Sequence, residues 1–245
     1  MNRPPRRLET GHDVKTAIMQ PYFLPYVGYF QLIESVDLFV VYDNIKYTKK
    51  GWINRNRLLR DGHDAVFSLP LKHDSDALDV RDRVLAPDFR PEKLLQELAG
   101  AYRRAPYFVQ TFPLIERIVR FEERNLFEFL HHGIVATCEH IGIGTEIRRS
   151  SEIAVDHNLK GQDKVLALCA AVGTGVYVNA IGGMELYSRD EFRRRGITLR
   201  FLRSGPFEYP QFGAPFVPAL SIVDVLMFNP LDAVRQCVAT DYELV

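Results

Sequence analysis

The amino-acid sequence predicts an α/β fold with an open, mostly parallel, Rossmann-like sheet. Apolar runs rich in β-branched and aromatic residues alternate with segments of helical spacing, which is typical of parallel strands joined by crossover helices. The predicted strands are residues 15–20, 38–43, 65–70, 176–180 and 197–202. Residues 91–142 contain only helical patterns, so we predict that they form a helical insertion in this fold.

The boundaries of these elements follow from local signals along the chain. Gln20-Pro21 ends the first apolar run. Pro91 suits the first turn of a helix, and Gly142 ends a stripe of apolar residues at helical spacing. Ser221 is a predicted N-cap of the last helical segment, which Pro230 interrupts. The predicted helices are residues 30–36, 91–104, 108–120, 124–142, 164–172, 184–195 and 222–239.

The composition is that of an ordinary globular protein. The 245 residues are 47% hydrophobic and 25% charged, and Lys plus Arg balance Asp plus Glu at 31 each. Because a dedicated nucleic-acid binder carries excess positive charge, we expect no nucleic-acid partner. No apolar run approaches the roughly 20 residues of a membrane span, and the basic N-terminus lacks the apolar core of a secretory signal. We expect a cytoplasmic protein with a flexible tail over residues 1–14 and a single α/β domain over residues 15–245.

Two residue types that often carry chemistry give no site in this sequence. The cysteines, Cys138, Cys169 and Cys237, lie far apart, and we interpret them as buried free thiols. The seven histidines show no metal-ligand spacing, so no metal site is predicted.

The loop after the first strand is the first candidate site. Ligands of such sheets bind beyond the carboxyl ends of the strands, where Gln20 is followed by Tyr22, Tyr26, Gly28 and Tyr29. A glycine lets the backbone approach a ligand, a helix N-terminus offers N–H groups to an anion, and phenols donate hydrogen bonds. We expect this loop to bind substrate, with Tyr29 in a catalytic role. An aromatic packing cluster with a structural glycine is the alternative.

Asp43 closes the second predicted strand at the same edge of the sheet. A carboxylate at that position commonly acts as a base, orients a substrate, or binds a hydroxyl or amine. We predict a catalytic role for Asp43, and an ordinary capping aspartate is the alternative.

Residues 52–57 form a second candidate substrate-binding segment. If they are extended, Trp52 and Asn54 lie on one side of the chain and Arg55 and Arg57 on the other. Tryptophan stacks on rings and sugar faces, and arginine pairs bind phosphate or carboxylate. A surface strand with scattered charges is the alternative.

Two further segments place polar residues at the predicted site. Lys160 precedes a helix, where it is well placed to contact a phosphate in a catalytic role. Asn179, Gly182 and Gly183 follow the fourth predicted strand and are candidate substrate-binding residues. A plain turn between strand and helix is the alternative for the glycine pair.

Several segments together resemble the WbqC-like protein family. They are AIMQPYFLPYVGYFQLIESVDLFVVYD, KGWINRNRLL, KGQDKVLALC, NAIGGMELY, FVPALSIVDVLMFN and the terminal YELV. The resemblance covers residues 15–245. Members of this family are typically encoded among bacterial O-antigen and other surface-polysaccharide genes. The resemblance therefore implies work on sugars or on their activated or acylated derivatives.

A more distant similarity is to nucleotidylyltransferases and pantothenate-synthetase-like ligases. The segment from Phe23 to Tyr29 lies where those proteins carry Phe-x-Pro and then His-x-Gly-His, between the first strand and the first helix. Tyrosines replace both histidines, which stabilise charge on ATP phosphates, so the position of the glycine is kept and the cationic groups are lost. The candidates to replace them are Lys46, Arg55, Arg57 and Lys160.

These observations lead to a functional expectation. We expect an enzyme of bacterial surface-polysaccharide biosynthesis that transfers or ligates an acyl or aminoacyl group onto an amino sugar, held as a nucleotide-linked sugar. Asp43 would take a proton from the attacking amine. The cofactor stays open between ATP and an acyl donor, and so does a homodimer. A non-catalytic nucleotide or sugar binder of a glycan-assembly pathway and an ATP-dependent ligase are the alternatives.

Overall fold

The structure, a computed structural model, is a sheet with helices on both faces. It describes residues 13–75, 77–213 and 215–245. The strands are β1 (Val14–Met19), β2 (Leu38–Val41), β3 (Arg55–Arg60), β4 (His63–Ser68), β5 (Glu146–Arg149), β6 (Thr174–Ala180), β7 (Thr198–Ser204) and β8 (Tyr242–Leu244). The helices are α1 (Val27–Glu34), α2 (Pro91–Tyr102), α3 (Phe108–Val119), α4 (Leu126–Ile141), α5 (Gly161–Ala171), α6 (Arg189–Arg194), α7 (Ile222–Phe228) and α8 (Leu231–Thr240).

The main sheet has six strands in the order β5-β2-β1-β6-β7-β8. The first five are parallel to their neighbours, and β8 is antiparallel to β7. Counted as they enter this sheet, the strands follow the order 3-2-1-4-5-6 of the Rossmann fold. The predicted fold class is therefore confirmed. Because the chain order reverses between β1 and β6, a crevice is expected at their carboxyl ends.

Each face of the sheet carries its own hydrophobic core. On one face Ala17, Phe39 and Val41 pack with α1, α7, α8 and the predicted insertion, whose helices are α2, α3 and α4. On the other face Ile18 and Val40 pack with α5 and α6. Neighbouring residues of β1 and β2 thus point to opposite faces, as strand geometry requires. Both faces are buried, which explains why these strands are continuous apolar runs.

The third predicted strand is wrong as a member of this sheet. Residues 65–70 overlap β4, which pairs antiparallel with β3 in a separate hairpin. The turn uses Asp61 and Gly62, both with positive φ (51° and 78°), as two-residue hairpin turns require. Two strands of the main sheet were not predicted. The first, β5, has the sequence EIRR without an apolar run, and the second, β8, has only three residues.

The helical predictions hold with changes at the ends. Asn125 caps α4 by accepting a hydrogen bond from the Glu128 N–H at 3.1 Å, and Gly142 ends this helix in the left-handed conformation. The predicted helix over 184–195 is a 3₁₀ turn over Ile181–Leu186 followed by α6, because the Ser188 side chain caps a new helix. As predicted, Ser221 caps α7 and Pro230 separates it from α8.

The remaining expectations about the chain as a whole have mixed outcomes. The three cysteines are buried and free, as predicted. Most of the predicted tail, residues 1–12, lies outside the described residues, and β1 begins at Val14, within the predicted tail range. Within the described ranges, no helix has both the length and the apolar character to cross a membrane.

Candidate functional site

Two adjoining cavities lie at the carboxyl ends of β1 and β6. The first, which we call the polar cavity, has a volume of about 1080 Å³, and the second, the apolar cavity, of about 280 Å³. Their common wall is formed by the residues that line both, which are Met19, Tyr22, Trp52 and Ala180. The crevice expected from the strand order is therefore present, and it is divided into two compartments.

One wall of the polar cavity is formed by the ends of β1 and β6. Gln20, Asn179, Gly182 and Gly183 line it, as predicted from their positions after strands. The Asn179 amide accepts a hydrogen bond from the Ala180 N–H at 2.7 Å and donates one to the Tyr177 hydroxyl at 3.3 Å. A Cβ at Gly183 would lie 3.2 Å from Asn179 Nδ2, whereas a Cβ at Gly182 would meet no atom within 4 Å. Gly183 therefore makes room for the amide, and Gly182 faces open space.

The N-terminus of α5 forms the opposite wall. Lys160 is the N-cap residue, is exposed and lines the polar cavity, as predicted for a phosphate contact. Lys46 lines the cavity as well and is also exposed. Neither lysine forms a hydrogen bond or an ion pair through its side chain with a described residue. Asp79 also lines this cavity, so the described lining residues include two ammonium groups without a described partner and one carboxylate.

Lys164 is a cavity residue that the sequence prediction missed. Its side chain lines the polar cavity yet is only 4% exposed, and its Nζ donates to the backbone and side-chain oxygens of Asn44, each at 3.2 Å. Burial lowers the pKa of the Lys164 ammonium, and the nearby charges of Asp79 and Asp43 oppose this effect. A signal for it was present in the sequence, because Lys160 and Lys164 are four residues apart at the start of a helix.

Asn44 holds a third polar group at this cavity. Its Nδ2 donates to His157 Nδ1 at 2.9 Å, and its Oδ1 accepts from the Ser150 hydroxyl at 2.7 Å. His157 is exposed and lines the polar cavity. Asn44 therefore connects two cavity-lining side chains, Lys164 and His157, to the end of β5.

Asp43, the predicted base, lines neither cavity. Its carboxylate accepts hydrogen bonds from the Ser150 hydroxyl at 2.7 Å, the Ser151 N–H at 2.9 Å and the Ser151 hydroxyl at 2.5 Å. Burial raises the pKa of Asp43, but the hydrogen bonds from Ser151 and Ser150 outweigh burial and lower it overall. The Asp43 carboxylate is therefore buried, stabilised in its charged form and outside the cavity lining. It is suited to connecting the ends of β2 and β5, and it is not placed to accept a proton from a ligand.

The apolar cavity lies over the start of α1. The hydroxyls of Tyr26 and Ser204 share a hydrogen bond of 2.6 Å beside Gly28, where a Cβ would come within 2.0 Å of the Tyr26 hydroxyl. The predicted close approach at Gly28 is thus made by the Tyr26 ring. Tyr29 is buried and donates to the Gln20 carbonyl at 3.0 Å. Burial raises the pKa of Tyr29 well above its usual value, so its hydroxyl stays protonated and already bonded, which does not favour the predicted catalytic role.

The extended arrangement predicted for residues 52–57 is wrong. The strand begins only at Arg55, and the chain bends before it, so Trp52 and Arg57 both line the apolar cavity. The Arg57 guanidinium lies 5.4 Å from the centre of the Trp52 ring. Arg55 donates to the Gly51 carbonyl at 2.9 Å and holds this bend. Asn54 is bonded to the Tyr47 hydroxyl and the Leu69 carbonyl, each at 2.8 Å.

The predicted site residues thus fall into two groups. Those that the structure brings to the cavities are Gln20, Tyr22, Tyr26, Gly28, Tyr29, Trp52, Arg57, Lys160, Asn179, Gly182 and Gly183. Those that line neither cavity are Asp43, Asn54 and Arg55. No cluster of three or more metal-ligating side chains occurs among the residues that the structure describes.

Comparisons with known proteins bear on the family of this chain. The model of the WbqC-like protein family matches residues 20–236. An uncharacterized protein of Mycobacterium tuberculosis, Rv1507c, is 27% identical over 223 residues, which cover 88% of this chain and 93% of that protein. The comparison with solved structures gave no match. The family match begins just after β1 and includes every residue that lines the cavities except Ile18 and Met19, and the chain belongs to the WbqC-like protein family.

Proposed function

We propose that this protein is an enzyme of bacterial surface-polysaccharide biosynthesis that joins an acyl or aminoacyl group to an amino sugar. The observation that carries this proposal is the pair of cavities with a common wall at the strand-order reversal. A nucleotide-linked amino sugar and an acyl donor differ in polarity, and two adjoining compartments of different polarity suit such a pair. The genetic setting typical of the family supports the choice of a glycan pathway.

The polar cavity is the proposed site of the nucleotide-linked sugar. Lys46 and Lys160 offer positive charge to its phosphates, and the N-terminus of α5 offers backbone N–H groups. Gln20 and Asn179 are placed to hydrogen-bond sugar hydroxyls. The exposed ring of Trp52 provides a stacking surface at the wall common to both cavities.

The apolar cavity is the proposed site of the acyl group. Its lining residues include Leu32 and Leu202, and a short acyl chain gains about 0.8 kcal/mol for each methylene buried there. In the reaction, the sugar amine attacks the acyl carbonyl carbon, a C–N bond forms, and the bond to the leaving group breaks. The amine proton leaves with the departing group, so Asp43 is not required as a base.

The proposal is tested by blocking the polar cavity without disturbing the fold. Gly182 lines this cavity and a Cβ there meets no atom within 4 Å, so Gly182→Leu places a side chain in the ligand space without strain. Gly100 in α2 is equally unobstructed and lies outside both cavities, and Gly100→Leu is the matched control.

Binding is measured by thermal shift with nucleotides and nucleotide-linked sugars, and product by mass spectrometry with acyl donors. A ligand at about 100 times its dissociation constant stabilises by about 2.7 kcal/mol, which corresponds to about 5–10 °C for a chain of this size. We expect the shift in wild type and Gly100→Leu and its loss in Gly182→Leu. No shift with any nucleotide or nucleotide-linked sugar would refute the proposal. Binding without product supports the non-catalytic alternative, and release of AMP or ADP supports a ligase.

A further inference from the structure

Lys164 differs from the other lysines of the polar cavity because its ammonium group is buried. A lysine ammonium taken out of water costs several kcal/mol unless an opposite charge or a full set of hydrogen bonds replaces its hydration. Lys164 forms no ion pair with a described residue, and its two bonds go to neutral oxygens of Asn44. The Lys164 Nζ also lies 5.0 Å from the centre of the Tyr42 ring, which lines the same cavity. An ammonium has three donors, so one remains after the two bonds to Asn44.

The surroundings of Lys164 hold the ammonium in position for a ligand. Asn44 Oδ1, which accepts from Lys164, also lies 2.7 Å from the Ser150 hydroxyl, whose single proton is shared between this amide oxygen and the Asp43 carboxylate. This chain of hydrogen bonds fixes the Asn44 amide and with it the Lys164 Nζ. The nearest carboxylates stay outside ion-pairing distance, since Asp43 is bonded to serines and Asp79 forms no ion pair with Lys164.

We propose that Lys164 binds a phosphoryl group of the ligand in the polar cavity, and that this group supplies the counter-charge that no described residue places within ion-pairing distance of the buried ammonium. The inference rests on the proposed function only in taking the polar cavity as the ligand site. The phosphoryl group lies between Lys164 and the N-terminus of α5, with Lys160 at the rim four residues earlier in the chain. Asn44 is a positioning residue for Lys164.

Inorganic pyrophosphate is the probe, titrated by calorimetry into the full chain at low salt. Removing one partner of a buried, hydrogen-bonded charge pair typically costs 2–5 kcal/mol, so Lys164→Met is expected to weaken binding by about 30-fold or more. Lys160→Met, at the rim of the same site, should cost less, since an exposed rim charge is worth at most about 1 kcal/mol, or about fivefold. Lys93→Met is the matched control, because Lys93 is exposed in α2, lines neither cavity and should not change the affinity. Circular dichroism and thermal unfolding check that these variants are folded.

Asn44→Asp tests the same idea with Lys164 present. The substitution exchanges the amide for a carboxylate of nearly the same shape and gives the ammonium an internal counter-charge at the 3.2 Å position. We expect weaker pyrophosphate binding, by about tenfold or more, in a protein that circular dichroism shows to be folded. Gln162→Glu is the charge control, because it adds a carboxylate to the same cavity and keeps the acceptor for the Ser188 N–H. A lysine with a purely structural role predicts the same loss of binding in Asn44→Asp and Gln162→Glu.

The outcomes separate this inference from the proposed reaction, because pyrophosphate binding needs neither an acyl donor nor turnover. Loss of binding in Lys164→Met, a larger loss in Asn44→Asp than in Gln162→Glu, and no change in Lys93→Met support the inference, whether or not a product is ever found. Absence of pyrophosphate binding to wild type, or an affinity in Asn44→Asp equal to that of wild type or of Gln162→Glu, would overturn it. If Lys164→Met does not fold, the Asn44→Asp result decides.

Discussion

Asp43→Asn is expected to weaken the fold without removing a catalytic group. The wild-type carboxylate accepts three hydrogen bonds, from the Ser150 hydroxyl, the Ser151 N–H and the Ser151 hydroxyl. In the variant, the amide oxygen can keep the first two, and the amide nitrogen faces the Ser151 hydroxyl, which must turn to accept. Each remaining bond changes from charge-assisted to neutral, which typically loses about 1 kcal/mol.

The net effect of this substitution is smaller than three such losses, because the variant no longer buries a charge. We expect a loss of about 1–3 kcal/mol in the free energy of unfolding at neutral pH. For a chain of this size that corresponds to a fall in Tm of about 2–12 °C. The measurement is urea denaturation and thermal unfolding of both proteins, with Asp232→Asn as a control at an exposed carboxylate.

The pH dependence of this difference has a definite sign. Burial acts to raise the folded-state pKa of Asp43, but the hydrogen bonds from the two serines lower it by more. The folded-state pKa is therefore below its usual value. The stability that the ionised carboxylate contributes is therefore present above its unfolded pKa, about 3.9, and is lost as the pH falls through the folded pKa. The gap between wild type and Asp43→Asn should narrow on acidification. A variant as stable as wild type at every pH, but without turnover, would refute the structural role.

Two further predictions concern the apolar cavity and a buried carboxylate elsewhere in the fold. Gly28→Ala places a Cβ about 2.0 Å from the Tyr26 hydroxyl, so the Tyr26 ring must move and its hydrogen bond to Ser204 must break. Urea denaturation should show a loss of about 1–3 kcal/mol in the free energy of unfolding. An unchanged free energy of unfolding would mean that the ring is free to move. Burial raises the pKa of Asp224 despite hydrogen bonds from Tyr209, Gln211 and Tyr102. Asp224 therefore contributes stability below its unfolded pKa, and this contribution is lost as the pH rises through the folded pKa. Over that interval, the free energy of unfolding of wild type should fall relative to that of Asp224→Asn. Parallel plots of this free energy against pH for the two proteins would contradict the prediction.

The parts of the fold that were predicted are those whose burial is visible in local sequence. The strands β1, β2, β6 and β7 lie inside the sheet and are apolar runs, since helices cover both faces. An edge strand needs no such run, and β5 is held by parallel pairing of Glu146–Arg149 to β2, which no local pattern of EIRR indicates. Residues 65–70 have the composition of a strand, and the pattern alone does not show which sheet the strand joins.

Local sequence also does not show contacts with distant residues, and this explains which site residues were predicted. Residues that follow a strand or start a helix, such as Gln20, Lys160 and Gly182, lie at the cavity because the topology brings those ends together. Whether a side chain is then free depends on partners far along the chain. Asp43 is bonded to serines more than 100 residues away, and Lys164 to Asn44 at a separation of 120 residues. Sequence position located the site, and only the contacts distinguish a ligand-binding side chain from a structural one.

The loop between β1 and α1 shows why this site is formed before a ligand binds. Leu24 adopts a positive φ of 43°, which is costly for a residue with a Cβ. The strain is tolerated because the Leu24 carbonyl accepts from Asn56 Nδ2 at 2.9 Å and from the Ser221 hydroxyl at 2.7 Å, while the Phe23 N–H donates to the Ile53 carbonyl at 3.0 Å. The hairpin and the start of α7 thus fix the loop beside the wall that both cavities have in common. A ligand then has to order mainly exposed side chains such as those of the rim lysines, which keeps the entropic cost of binding low.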